Sequence, residues 1–199
     1  MKKKQEVQVL IEVAIFVAIA IVLDILFGMF STLPYGGSIS VAMLPIFIVA
    51  ARRGLKYGLI AGLLFGIIPG FLFKVYFLNF GQYFLDYILA FTVLGVGALI
   101  PKAKEKTSRF VWLIIVGSVL RLIAASLAGV AYWAAYIPEE MVWFDGLFGT
   151  ALSTSLGQDA LIFVGSFVYN SLYLIPSAIL CIIIGIILHK RKIIEYNLH

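Results

Sequence analysis

The sequence predicts an all-α integral membrane protein, six transmembrane helices forming one domain over residues 1–199, with both termini cytoplasmic. Three observations predict it. Hydrophobic residues make up 63% of the 199 and charged residues only 13%, where a soluble domain carries roughly a quarter charged. Mean hydropathy is +1.09, sustained by apolar runs long enough to span a bilayer. Lysine and arginine gather in short clusters between those runs, as cytoplasmic loops do. The period-2 alternation of a membrane barrel is absent, which leaves helices as the spanning structure.

The first helix is expected at 9–28. Lys2-Lys3-Lys4 ahead of an apolar run imitates a secretory leader, but the run reaches about Phe30 and more spans follow, so it reads as a retained helix. It carries Glu12 and Asp24 near its two ends, where carboxylates reach the interface. Ala14 and Ala18 have the small-xxx-small spacing that lets another helix approach closely. Packing within the bundle and docking to a separate membrane protein both fit that spacing. An uncharged loop, 31–38, turns at Pro34-Tyr35-Gly36-Gly37.

The second helix, 39–51, is short for a ~30 Å hydrocarbon core, and its Pro45 predicts a kink or tilt. The third, 55–73, follows a basic turn and carries Gly58, Gly62, Gly66 and Gly70, continuing a four-residue spacing from Gly54. Such a stripe drifts about 40° per step on a 3.6-residue helix, so more than one packing neighbour is expected. No Gly-Lys-Ser/Thr element accompanies it, which removes a phosphate-binding reading. The fourth helix is expected at 81–100 and the fifth at 110–136, with Arg121 deep inside. An acidic outer segment, 137–159, leads to the sixth helix at 160–188.

Orientation follows from the loops. The N-terminus, 52–56, 102–109 and the C-terminus hold 3, 3, 4 and 3 Lys or Arg, whereas the opposite loops hold only Lys74. The basic side is cytoplasmic.

Chemistry concentrates at Gly81-Gln82-Tyr83-Phe84-Leu85-Asp86-Tyr87. A charge near the bilayer centre costs about 2.5–3.5 kcal/mol on insertion scales, so Asp86 is expected to face a cavity, a partner or a ligand. Gln82 and Asp86 are four apart, as are Tyr83 and Tyr87, so each pair shares a helix stripe. An acid among aromatic faces suits a flat organic cation. The same outer half gathers Tyr76, Tyr132, Trp133, Tyr136, Tyr169 and Asn170. Arg121 offers a competing account, a buried ion pair with Asp86 or Asp24 in a purely structural membrane protein, and the sequence leaves both open. His189 and His199 lie in the tail, far from Cys181, so no metal set forms. Without a nucleophile triad or a nucleotide motif, the chain reads as neither an enzyme nor a self-sufficient ATP-driven pump.

Several stretches carry a family resemblance: Gly36-Gly37-Ser38-Ile39-Ser40-Val41-Ala42-Met43-Leu44-Pro45-Ile46 with Ala51-Arg52-Arg53-Gly54, then Gln82-Tyr83-Phe84-Leu85-Asp86-Tyr87, Ala128-Gly129-Val130-Ala131-Tyr132-Trp133, and Tyr169-Asn170-Ser171-Leu172-Tyr173-Leu174-Ile175-Pro176. In that order, along nearly the whole chain, they resemble the thiamine-specific S components of energy-coupling factor (ECF) transporters. The resemblance implies a six-helix subunit in the bacterial plasma membrane that captures a vitamin, here thiamine, from outside. It works with a transmembrane coupling subunit and two cytoplasmic ATPases, and Ala14 and Ala18 match the family's docking motif. By family position Tyr76, Tyr87, Trp133 and Asn170 contact ligand, with Asp86 where glutamate is usual; Gln82, Tyr83, Gly129 and Tyr169 complete the expected site. Three positions depart from the pattern: Ala125 replaces a histidine, Gly165 a tyrosine and Gly37 a tryptophan found in some members. Those changes keep another small cationic vitamin or a related pyrimidine as the alternative ligand.

Overall fold

The computed structural model describes residues 2–72 and 78–195. Its described regular structure is helical, apart from one isolated β-bridge between Thr32 and Ser38. Five helices are long and apolar enough to cross a membrane.

Helix α1, Lys2–Ser31, runs past both ends of the expected span. No helix breaker interrupts it, and its last turn is closed by side chains: Ser31 Oγ donates to Phe27 O at 2.7 Å and Thr32 Oγ1 to Gly28 O at 2.5 Å. Val13, Val17 and Ala20 are buried, while Ile11, Ala14, Ile15, Ala18 and Ile19 face outward. Glu12 and Asp24 are both turned away from the exposed face of α1. Glu12 turns inward and binds Arg52 at 2.6 Å and Arg53 at 2.5 Å. Asp24 lines an internal cavity.

Helix α2, Met43–Leu72, joins the expected second and third helices and corrects two expectations. Its start is at Met43 rather than residue 39, because Ser40 is held by its neighbours: its N–H donates to Ser177 Oγ at 2.9 Å and its Oγ accepts from Ala42 N at 3.1 Å. Pro45 sits in the first turn, where a missing N–H costs nothing. The break is instead at Gly54, whose φ of 78° and ψ of −172° lie outside the helical region. A Cβ on Gly58 would stand 2.9 Å from Ala50 Cβ. Residues eight apart in a straight helix are about 12 Å apart, so the arms 43–53 and 55–72 fold back on one another.

Helix α3, Phe80–Leu99, packs along the second arm. Cβ atoms on Gly62, Gly66 and Gly70 would meet Phe91 O at 2.2 Å, Tyr87 O at 2.7 Å and Tyr83 Oη at 2.2 Å, and Gly58 approaches Gly95 Cα at 3.1 Å. The glycine stripe therefore serves α3 from Gly58 to Gly70, and Gly58 also meets Ala50 of the first arm, the second neighbour that its drift predicts. The pair wraps to follow the stripe, and α3 departs from α geometry to do so: Phe84–Leu89 is π-helical and Val93–Leu99 is 3₁₀.

Helix α4, Thr107–Tyr132, ends four residues before the expected 136. The acidic outer segment contains helix α5, Ile137–Phe148, with Pro138 in its first turn and Gly149 closing it at φ 67°. Helix α6, Gln158–Lys190, completes the bundle. The main core joins α1, α2, α3, α4 and α6; a second cluster of Ile137, Met141, Leu161 and Tyr169 seats α5 on α6.

Candidate functional site

A cavity of about 410 Å³ opens among α1, α2, α3, α4 and α6, covered by the 32–42 loop and the first turn of α5. Its position follows from local chain chemistry. Asn79 caps α3, accepting from Gln82 N at 3.0 Å, while Gln82 Oε1 accepts from Leu78 N at 3.2 Å. That fixes the helix start and turns Gln82 inward, leaving it 1% exposed. The π-helical stretch then widens the coil around Asp86, an irregularity frequent at functional sites.

Asp86 is a positioned acceptor. Its Oδ2 accepts from Gln82 Nε2 and from Trp133 Nε1, the latter at 3.0 Å. Its Oδ1 accepts from no described residue, so one oxygen remains for a ligand. Asp86 and Arg121 form no ion pair among the described residues, where the two ion pairs are those of Glu12. The Arg121 guanidinium instead lies over the Phe91 ring, 3.9 Å from its centroid, and its Nε is buried without a hydrogen-bond partner. Tyr87 and Trp133 contribute aromatic surface to the lining, and Asp24 adds a second carboxylate from α1.

The loop cover is tied down by α6. Tyr169 Oη accepts from Tyr35 N at 3.0 Å and donates to Gly36 O at 3.1 Å. Gly37 has a φ of 77°, and a Cβ there would come within 2.6 Å of the Tyr173 ring. Glycine thus fits both the turn and the close approach. Tyr173 Oη donates to Asn170 Oδ1 at 2.6 Å, and Asn170 Nδ2 donates to Ser166 O at 2.9 Å, leaving one Asn170 N–H for other use.

Of the residues expected at the site, Gln82, Asp86, Tyr87, Gly129, Trp133, Tyr169 and Asn170 all line this cavity. Gly129 does so at a tight crossing, since a Cβ there would stand 2.0 Å from Ser166 Oγ. Tyr83 is outside the lining. Its hydroxyl enters the α2 backbone ladder, donating to Gly66 O at 2.7 Å and accepting from Gly70 N at 3.1 Å. Its ring stacks on Tyr87 at 5.1 Å, supporting that residue from behind. Tyr76 lies outside the described residues. Ala14 and Ala18 are exposed on α1, remote from the cavity. Among the described residues no group of His, Cys, Asp and Glu is arranged for a metal.

Glu140 was not anticipated as a lining residue, nor was Asp24. The signal for Glu140 was present in Ile137-Pro138-Glu139-Glu140, a proline and two acids at a helix start. Glu140 is 5% exposed, and burial pushes its carboxyl up to about 7. Further along, desolvation of the Asp145 carboxylate is outweighed by hydrogen bonds from Ser153, Thr150 and Leu152, which hold it below the usual range.

Residues 10–145 match the family model described as thiamine transporter protein (Thia_YuaJ). The chain is 32% identical over 194 residues to the thiamine transporter ThiT of Bacillus subtilis (strain 168), covering 92% of this chain and 91% of that one. Its fold matches a solved structure of ThiT from Listeria monocytogenes with a TM-score of 0.71 and 27% identity, covering 94% and 96% of the two chains.

Proposed function

From the premise that this chain belongs to the thiamine transporter protein family, we propose that it is the substrate-binding membrane subunit of an ECF-type uptake system, and that its substrate is thiamine. It is a transport protein, not an enzyme. The observation that carries the reading is Asp86, held by Gln82 and Trp133 with an Oδ1 that accepts from no described residue, in a cavity walled by Tyr87 and Trp133. Thiamine joins a flat aminopyrimidine to a cationic thiazolium. Its amino group supplies donors for a carboxylate, and its rings supply flat faces for tyrosine and tryptophan. A desolvated cation–aromatic contact adds ~2 kcal/mol or more. At about 410 Å³ the cavity falls within the usual range for small-molecule sites.

In this reading Asp86, Tyr87, Trp133 and Asn170 contact the ligand, Gln82 orients Asp86, and Gly129 gives room at the α4–α6 crossing. Tyr169 holds the loop, Tyr83 braces Tyr87, and Tyr76 joins from the segment before α3. The arms 43–53 and 55–72 count as separate crossings, giving six, and the basic loops place both termini in the cytoplasm of a bacterial cell. The cavity then opens outward. Ala14 and Ala18 dock a transmembrane coupling subunit, with two ATPases supplying the energy this chain has no motif to harvest.

The test is direct. Purified protein quenches its tryptophan fluorescence on adding micromolar thiamine, and a tagged copy brings the coupling subunit and both ATPases through purification. A flat titration removes thiamine as the substrate. Against the purely structural reading, a buried Asp86–Arg121 pair, stands the placement of Arg121 over Phe91, with no Asp86–Arg121 ion pair among the described residues.

A further inference from the structure

The first turn of α5 places two adjacent glutamates differently. Glu139 is exposed, where it complements the helix N-terminus. Glu140 is 5% exposed, lines the cavity, and makes no hydrogen bond or ion pair with any described residue. Helix stability does not require this arrangement, since Glu139 already supplies an acid to the first turn. An unpartnered buried carboxylate is costly. It persists here because α5 is anchored by apolar contacts: Ile137 and Met141 are 1% and 0% exposed. They pack against Gly165, where a Cβ would meet them at 2.5 and 2.9 Å. The glycine that replaces the family's tyrosine is therefore the seat of α5, and the helix brings an acid of its own over the cavity.

We propose that Glu140 is a ligand-binding residue, an acid on the outer cover that takes the positive charge or a donor group of the bound cation while Asp86 holds it from α3. The proposal deepens the thiamine reading and rests on it. It makes seating of the cover and binding of the cation one event, because the same ligand charge compensates acids on two elements. The titratable group that interacts with Glu140 is Tyr169 of α6, and no described cation pairs with it; Tyr35 of the loop and Asp24, Asp86, Tyr87, Arg121 and Tyr173 of α1, α3, α4 and α6 line the same cavity. With its carboxyl near 7 when empty, Glu140 is protonated at lower pH and ionises as pH rises. A cation favours the ionised form, so binding tightens with rising pH.

The experiment is thiamine titration by calorimetry from pH 5.5 to 8.5 on the full chain and on Glu140→Gln and Glu139→Gln. The wild type is expected to tighten by about ten-fold across this range beyond any change in E140Q, as a one-unit shift of Glu140 on binding requires. At pH 8, E140Q binds at least about ten-fold more weakly, with an unliganded melting midpoint no lower than wild type, and E139Q behaves as wild type. Wild-type binding with E140Q unchanged in affinity and pH profile overturns the proposal alone. An E140Q melting midpoint that falls together with affinity also overturns it, by making Glu140 structural. A wild type that binds no thiamine overturns the functional reading as well.

Discussion

Replacing Asp86 with asparagine separates a ligand contact from a structural charge, because the two roles predict opposite signs for stability. The hydrogen bonds dictate how the amide sits. Gln82 Nε2 and Trp133 Nε1 both donate to Oδ2, so the amide oxygen takes that place and its NH₂ falls where Oδ1 faced the cavity. A donor then meets the donor side of the ligand. A hydrogen bond to a charged group is worth about 1.5–3 kcal/mol, which corresponds to roughly ten- to hundred-fold in affinity at 1.4 kcal/mol per decade. Unliganded stability moves the other way or not at all. Asp86 is in no ion pair among the described residues, and a neutral amide is cheaper to bury than a carboxylate.

Had Asp86 been one half of a buried pair with Arg121, its loss would cost about 3–5 kcal/mol. The assay pairs calorimetric titration of thiamine with a melt of the unliganded protein in detergent. A dissociation constant within about two-fold of wild type, or a melt lowered by several degrees, would refute the reasoning above.

Three further outcomes follow from contacts already described. Tyr169→Phe removes the hydroxyl that holds Tyr35 N and Gly36 O; at about 1 kcal/mol for such bonds, thiamine should dissociate several-fold faster in stopped-flow quenching, with the fold intact. Gly62→Leu drives a side chain into Phe91 O, 2.2 Å from the position of its Cβ. Overpacking costs about 1–3 kcal/mol, read as a lower melting midpoint, and an unchanged midpoint would show that α2 and α3 are not in backbone contact. Glu12→Gln leaves Arg52 and Arg53 without their shared carboxylate. Breaking a buried pair costs about 3 kcal/mol or more, so this variant should melt earlier while keeping the thiamine affinity of wild type.

Much of this architecture was legible in residue order. Long apolar runs gave the crossing helices, and the acid–aromatic cluster on α3 does line a cavity, because a charge in such a run has few other places to go. What failed was the direction in which side chains turn. Pro45 looked like a kink in the second helix, yet a proline in a first turn interrupts nothing; the basic turn expected at 52–56 does fall where Gly54 breaks α2. The glycine ladder was read as serving more than one neighbour, and Gly58 does meet Ala50 of the first arm as well as Gly95, while α3 follows the remaining glycines and leaves α geometry along the way. Tyr83 and Tyr87 share a stripe, but one fits into the α2 backbone while the other reaches the cavity. The residues 137–148 carried a proline, two early acids and a terminal glycine. Their acidity and outer position concealed a helix.

Gly165 shows why a single-residue comparison with a family can mislead. Read alone, its lack of a ring subtracts a stacking surface from the site. In the fold, that absence admits Ile137 and Met141 and brings Glu140 over the cavity. The two ends of α1 express the same logic. Glu12 is buried and compensated by two arginines, so it is closed to further partners. Among the described residues Asp24, Asp86 and Glu140 line the cavity without an ion pair, and Arg121 is the one guanidinium in its lining. Among the described residues buried charge is balanced where α1 meets the elbow of α2 and left in acidic excess around the cavity. In the proposed reading a cation supplies what these residues lack, and Glu140 makes the cover part of that balance.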